Sequence, residues 1–181
     1  MTEPHIAVAT KTVGCNNTIV TIRALTEADR AHMLEFGASL PADDVLYLED
    51  DFRSPEIIAR LINASYAENW RQVVATANDA IVGYAAVRRL PGRSSHVGDI
   101  HMLVSPDWRG CGLGRAMADV IFDAARDLGV DKVIVEILDT QATGRQIFER
   151  IGFAIEGTLV DHASDRQGQR HSLHVLAYHI R

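Results

Sequence analysis

Arg109-Gly110-Cys111-Gly112-Leu113-Gly114-Arg115 sets three glycines at every second position between two arginines, then runs directly into an apolar pattern of helical period. Each glycine costs backbone entropy on folding, so this spacing marks a place where bare backbone must approach something closely. The apolar run DIHMLV precedes the loop. A strand that feeds a glycine-rich turn into a helix builds an anion site, because free backbone N–H groups and the helix dipole converge on one point. The ligand expected there is phosphorylated. A Walker loop needs GxxxxGK(S/T), and no such lysine follows; the dinucleotide fingerprint GxGxxG fails because Gly112-Leu113-Gly114 is followed by Arg115-Ala116-Met117. What remains is R-x-x-G-x-G, with an ordinary glycine-rich turn as the bland alternative.

Acid–base chemistry has its best candidates just upstream. Asp99 and His101 alternate along one strand and so share a face, opposite the core-like Ile100 and Met102. His101 is suited to proton transfer by its unperturbed pKa. The pair reads either as a base acting through water or as a plain strand-face hydrogen bond; Glu136, on the next strand, is a weaker candidate of the same kind. His162, His171, His174 and His179 crowd the C-terminal segment without an HxxxH or HxH spacing or paired cysteines, so no metal site is expected. The two cysteines, Cys15 and Cys111, make neither a disulfide framework nor a CxxC motif, which points to a reducing, cytoplasmic setting and leaves Cys111 an ordinary loop residue.

The elements that must position these residues follow from periodicity. Residues 1–17 are polar and aperiodic and are expected to be a flexible lead-in, with one domain over 18–181. TIVTIRAL alternates like a half-buried strand, Thr26 and Asp29 open a helix ending near Gly37, and Ser54-Pro55 open a second helix reaching about Trp70, with Ile57, Ile58, Leu61, Ile62 and Tyr66 on one face. RQVVATA, AIVGYAAVRRL and HVGDIHMLV then form an antiparallel meander. After the glycine loop, Leu113, Met117, Val120, Ile121, Ala124 and Leu128 recur at helical spacing up to Gly129. KVIVEIL is a strand, TGRQIFERI a short helix, and the remainder a hairpin turning near Asp165–Gly168.

Composition sets the outer bounds. At 181 residues, 47% hydrophobic and 23% charged, the chain can bury one proper core. A formal charge of -6 argues against a general nucleic-acid binder. No apolar run approaches the roughly 20 residues that cross a bilayer, so no membrane partner is expected.

With these residues in hand, the sequence resembles the GNAT acetyltransferases from about Thr18 onward, most specifically in VSPDWRGCGLGRAM. The resemblance implies the fold of that family: an α/β protein of α+β type, with a mixed, mostly antiparallel twisted sheet of about seven strands and about four helices, its central strands splayed at an acetyl-CoA site. It implies acetyl-CoA as cosubstrate, with no metal. Leu103 and Val104 would border the pantetheine and thioester, Arg109, Gly110, Cys111, Gly112, Leu113 and Gly114 would wrap the pyrophosphate, and Arg115 would add charge. A second family motif matches Gln141 through Gly152-Phe153, with Gln141 where asparagine usually contacts the cofactor. Phe148 stands where a tyrosine often protonates the leaving thiolate.

The implied reaction is attack of a primary amine on the acetyl thioester, with Asp99 and His101 as the catalytic pair and the backbone N–H of Leu103 or Val104 stabilising the oxyanion. Tyr178 reads as a packing aromatic rather than a replacement acid. The acceptor class stays open among small molecules, polyamines and protein lysines or N-termini. Asp43, Asp44, Glu49, Asp50 and Asp51, on the segment that generally lines the acceptor side, fit a cationic acceptor or equally a solvated loop. Arg88, Arg89 and Arg93 reach coenzyme A phosphates or cap a solvated strand end. The missing hydroxyl at Phe148 keeps a second reading alive, a cofactor-binding sensor or regulator without turnover. Terminal strands of this fold offer a sheet edge for a homodimer.

Overall fold

The computed structural model describes residues 8–44 and 48–180. Eight strands form one sheet in the order β1-β2-β3-β4-β5-β6-β8-β7. In chain order these are β1 (Lys11–Cys15), β2 (Thr18–Ala24), β3 (Trp70–Ala77), β4 (Ala80–Arg89), β5 (Val97–Val104), β6 (Lys132–Leu138), β7 (Ala154–Ser164) and β8 (Arg170–His179). The helices are α1 (Arg30–Ser39), α2 (Pro55–Ala64), α3 (Leu113–Asp127) and α4 (Ala142–Ile151). All neighbouring strands run antiparallel except β5 and β6. This is the mixed α/β architecture expected, with one strand more than the seven anticipated.

The extra strand is β1. Lys11–Cys15 was expected to belong to the flexible lead-in, yet it pairs with β2 through a turn at Asn16 and Asn17, both of which adopt positive φ. Polar residues suit this edge, because only Cys15 of its five residues is buried; a strand with one buried position carries no clear period-two signal. The lead-in residues 1–7 lie outside those described. The second helix also ends earlier than expected, at Ala64, because three successive turns precede β3 and leave Tyr66 49% exposed instead of on the buried face.

Alternation along the central strands divides the core. Val73, Ala75, Ala85, Val87 and Ile100 pack under α3, whose Leu113, Met117 and Ile121 are almost fully buried. Val74, Tyr84, Ala86 and Leu103 face the other way, against Met33 and Phe36 of α1 and Ile58, Leu61 and Ile62 of α2. Each such large apolar side chain contributes roughly 1.5–3 kcal/mol by leaving water. Local chemistry fixes the helix starts. The Ser54 hydroxyl accepts from Ile57 N–H at 3.4 Å ahead of Pro55. Asp29 accepts from Thr26 N–H at 2.9 Å and takes both Arg23 Nη atoms at 2.8 and 2.7 Å, tying the entry of α1 to β2.

One feature of this sheet makes room for a site. β5 and β6 are in register from Val97↔Lys132 to Asp99↔Ile134 and then part, although β5 continues to Val104 and β6 to Leu138. No helix of the described residues is long and apolar enough to cross a membrane.

Candidate functional site

The gap between the diverging halves of β5 and β6 leaves backbone groups of β5 without a strand partner. Ser105 N–H donates to Val82 C=O and Leu90 N–H to Val97 C=O, both at 2.9 Å. The unbroken register between β4 and β5 then assigns the alternate residues. In an antiparallel ladder every second residue bonds its partner, so His101 and Leu103 turn their amides toward β4, while Met102 and Val104 turn theirs into the gap. Of the two amides considered from sequence, the ladder leaves Val104's free. The Val104 carbonyl already accepts from Arg109 Nε at 2.9 Å.

Where the gap meets α3 and α4 lies a cavity of about 320 Å3, lined by Leu103 and Val104 of β5, Gly114 of α3, and Gln141, Thr143 and Phe148 of α4 or its N-terminal edge. The glycine loop closes one end. Gly110 and Gly112 sit at φ +77° and +89°, a left-handed conformation that side chains disfavour. Gly114 has no such need, and a Cβ there would meet nothing of the protein within 4 Å. Its bareness serves the open space beside it. Gly112 precedes α3 as a cap with no side-chain hydrogen bond, and the helix's own ladder begins only with Ala116 N–H bonding Gly112 C=O at 3.1 Å. The amides of Leu113, Gly114 and Arg115 therefore remain as donors at the positive end of the helix dipole.

The flanking charges are arranged differently from expectation. Arg109 does not extend alone toward the loop's mouth: its Nη2 donates to Asp44 at 2.6 Å, and Asp44 is almost wholly buried. Arg115 pairs with Asp119 one turn along α3 at 3.1 Å. Gln141 spends its Oε1 on Leu138 N–H at 2.9 Å, which fixes the amide at the end of β6 between two cavities. Cys111 departs most from the sequence reading. It forms a disulfide with Cys15, across 96 residues, with the two Cα atoms 5.3 Å apart. The pairing depends on β1, which the sequence did not disclose, and the cysteines therefore no longer argue for a reducing compartment. Asn16 Nδ2 donates to Asp107 C=O at 2.9 Å and Lys11 pairs with Asp119 at 3.3 Å, so the β1–β2 hairpin braces the glycine loop from its outer side.

Asp99 and His101 do come together. Asp99 Oδ2 lies 3.2 Å from His101 Nε2 and 3.2 Å from Arg88 Nη2, so one oxygen serves both. Burial pushes the His101 pKa down, but the hydrogen bond and charge of Asp99, helped by Glu49, outweigh it and the net shift is upward. Glu136 is raised by burial first and then by the negative charges of Asp99 and Glu49. Two further cavities flank His101. One, of about 280 Å3, extends toward α2 and includes Glu49, Arg60, Trp70, Tyr84, Arg88 and Met102. The other, of about 270 Å3, lies toward β7 and includes Glu49, Glu136, Gln141 and His162. Met102 lines both the first of these and the slot beside the glycine loop, so the two share a wall there.

Tyr178, expected to pack, does so. Tyr178 stacks on Phe122 and Phe153 with ring centroids 5.4 and 5.5 Å away, and Phe148 meets Phe153 edge-on at 5.1 Å. Among the described residues no three His, Cys, Asp or Glu side chains converge to hold a metal; His171 instead bonds Asp165 at 3.1 Å and His174 bonds Thr158 at 3.0 Å. The sequence reading missed Asp44's bond to Arg109 and the joint exposure of Arg88 and Trp70 to one cavity, because both arise from strand register and loop return, which leave no local pattern.

Comparison with known proteins accords with this geometry. Residues 33–153 match the model of the acetyltransferase (GNAT) family. Human N-acetyltransferase 8B is 26% identical over 114 residues, covering 63% of this chain and 48% of that protein; the chain thus spans about half the length of the curated relative it matches. Among solved structures, the GNAT domain of PAT from S. lividans superposes with a TM-score of 0.79 at 15% identity, over 94% of this chain and 97% of that one. The protein yncA from Salmonella typhimurium, solved with its cofactor acetyl-CoA, gives 0.77 at 19% identity, over 90% and 94%. At such identities these structures speak for the fold.

Proposed function

The chain belongs to the GNAT acetyltransferase family, and from that premise we propose that it transfers an acetyl group from acetyl-CoA to a primary amine by direct attack. The observation that carries the reading is the bare cradle at the start of α3. Gly114 faces open space beside uncapped amides, where a pyrophosphate fits and a side chain would intrude. The residues present suit the cosubstrate: Gly110 to Arg115 offer backbone donors and positive charge to the pyrophosphate, and Leu103 and Val104 border the pantetheine along the free edge of β5. Bound acetyl-CoA supplies the activated acyl group.

The chain's own residues do the rest. An amine entering beside His101 must lose a proton, and His101, held by Asp99, accepts it directly or through one water. Nitrogen–carbon bond formation moves negative charge onto the carbonyl oxygen, which the free Val104 N–H stabilises. The carbon–sulfur bond then breaks and the sulfur leaves with the electron pair. Phe148 offers no proton there; a thiol pKa of about 8.5 lets the sulfur leave as thiolate near neutrality.

Phe148 also favours a second reading, an acetyl-CoA-binding module without turnover. One experiment separates them. Thiol release is followed with a panel of amines while acetyl-CoA binding is titrated by calorimetry. Amine-dependent release supports the transferase; binding without release across the panel supports the sensor, and absence of binding removes both.

A further inference from the structure

The cavity on the α2 side of His101 has a charge pattern that a simple polyamine or lysine site does not need. Two arginines, Arg60 of α2 and Arg88 of β4, face it together with the apolar or aromatic walls of Leu61, Trp70 and Tyr84. Arg60 donates to Asp50 through one Nη, and Arg88 donates to Asp99 through one Nη while lying 5.6 Å over the Trp70 ring. A guanidinium carries five N–H donors in a planar fork, so each arginine keeps most of its donors for something else. Both side chains remain partly accessible, 60% for Arg60 and 38% for Arg88. Asp50 and Asp99 are taken by these arginines, and Glu49 is left as the lining carboxylate without an ion-pair partner among the described residues. The cavity therefore offers one unmatched negative group and two forks suited to a carboxylate.

Distance decides how these two requirements combine. Arg88 Nη2 and His101 Nε2 each lie 3.2 Å from the same Asp99 oxygen, so they are separated by no more than twice that length. A nitrogen beside His101 and a carboxylate on Arg88 are therefore within reach of a single small molecule that carries both. One carbon separates them in an α-amino acid, whereas a polyamine has no carboxylate and a lysine side chain in a protein has none near its ε-nitrogen. Size agrees. A cavity of about 280 Å3 has room for a free amino acid. The Tyr84 hydroxyl is already spent on Gln72 at 2.6 Å, so that wall asks for apolar contact.

We propose that the acceptor is a small free α-amino acid with an apolar side chain, its carboxylate held by Arg88 with Arg60 and its ammonium drawn in by Glu49; this rests on the transferase reading above. Arg88 and Arg60 are then the specificity-determining residues.

The test compares kcat/KM, by thiol release, for leucine, methionine and phenylalanine with their amides, their decarboxylated amines, spermidine and a lysine peptide. The expected result is a preference for at least one free acid over its own amide of about tenfold or more, the range of a charge-assisted hydrogen bond, falling toward unity in Arg88→Gln and narrowing in Arg60→Gln. The readout is a ratio within one variant, so a general loss of activity does not imitate it; melting curves confirm that each variant folds. Equal rates for acid and amide, or an undiminished ratio in both variants, overturn the proposal. Turnover of spermidine or the peptide alone overturns it while leaving the transferase reading intact. Acetyl-CoA binding with no release by any amine overturns both.

Discussion

Asp99 Oδ2 lies 3.2 Å from His101 Nε2 and holds that imidazole on the edge of β5 where it parts from β6. The carboxylate both orients the ring and raises its pKa against the opposing effect of burial. A base works in its neutral form, so turnover rises as pH climbs through the His101 pKa, and a raised pKa moves that rise to higher pH. Asp99→Asn removes the charge and leaves burial dominant, so the rising limb of the kcat/KM profile shifts to lower pH. His101→Ala lowers kcat by about 10²-fold or more with little change in acetyl-CoA affinity. Unchanged limbs and rates in both variants would remove the pair from proton transfer.

Gly114→Ala separates ligand space from folding. The added methyl meets no protein atom within 4 Å and sits in a helical first turn, where alanine is the better helix former by up to about 1 kcal/mol. The variant should melt at or slightly above the wild-type temperature and yet bind acetyl-CoA about tenfold more weakly, since the methyl enters the cradle beside the free amides. Calorimetric titration beside a thermal melt checks both halves. Lost stability with unaltered affinity would mean the glycine serves the fold.

Much of this arrangement was legible in the residues. The 3.6-residue repeat of α3, the alternation of β2, the strand-like runs of β3 to β5 and the Ser54-Pro55 cap are local patterns, and each appears where read. The glycine loop could be placed because three alternating glycines between two arginines are themselves a compositional trace. What escaped notice was non-local. β1 has one buried residue, too few for a period. The Cys15–Cys111 bond needs β1, and the Arg109–Asp44 and Arg88–Asp99 bonds need a loop return and a strand register that no short window contains. The acidic segment illustrates the cost. From sequence, Asp44 and Asp50 belong to one cationic-acceptor surface or a solvated loop, whereas in the structure arginines already engage both.

The disulfide yields a stability prediction. Cys15 and Cys111 close a loop that spans more than half the chain; disulfides typically stabilise by about 2–4 kcal/mol, and chain entropy alone gives about 4.7 kcal/mol for a loop of about 100 residues, acting through the unfolded ensemble. Cys15→Ser and reduced wild type should therefore show the same lowered urea midpoint, and oxidised wild type a higher one. Because Cys111 lies within the glycine loop, reduction should also weaken acetyl-CoA binding, by a smaller factor than Gly114→Ala, since the Asn16–Asp107 contact still braces the loop. A midpoint indifferent to reductant would show that the bond does not stabilise the fold.

Phe148→Tyr asks how far the leaving sulfur needs a proton. The ring lines the slot beside Gln141 and Thr143 and meets Phe153 edge-on, and the variant adds a hydroxyl to that ring. If departure as thiolate limits turnover, the new phenol, with a pKa near 10, can donate to the sulfur as the carbon–sulfur bond breaks. The gain should be several-fold, below the ~10²-fold typical of a general acid, because a thiolate already leaves tolerably. It should be greatest below about pH 8.5, where a free thiol would be protonated, and fade above that. Single-turnover rates across this range, with acetyl-CoA affinity measured alongside, make the comparison. A rate equal to wild type at every pH, with unchanged affinity, would place the limiting step at amine attack and shift attention back to His101.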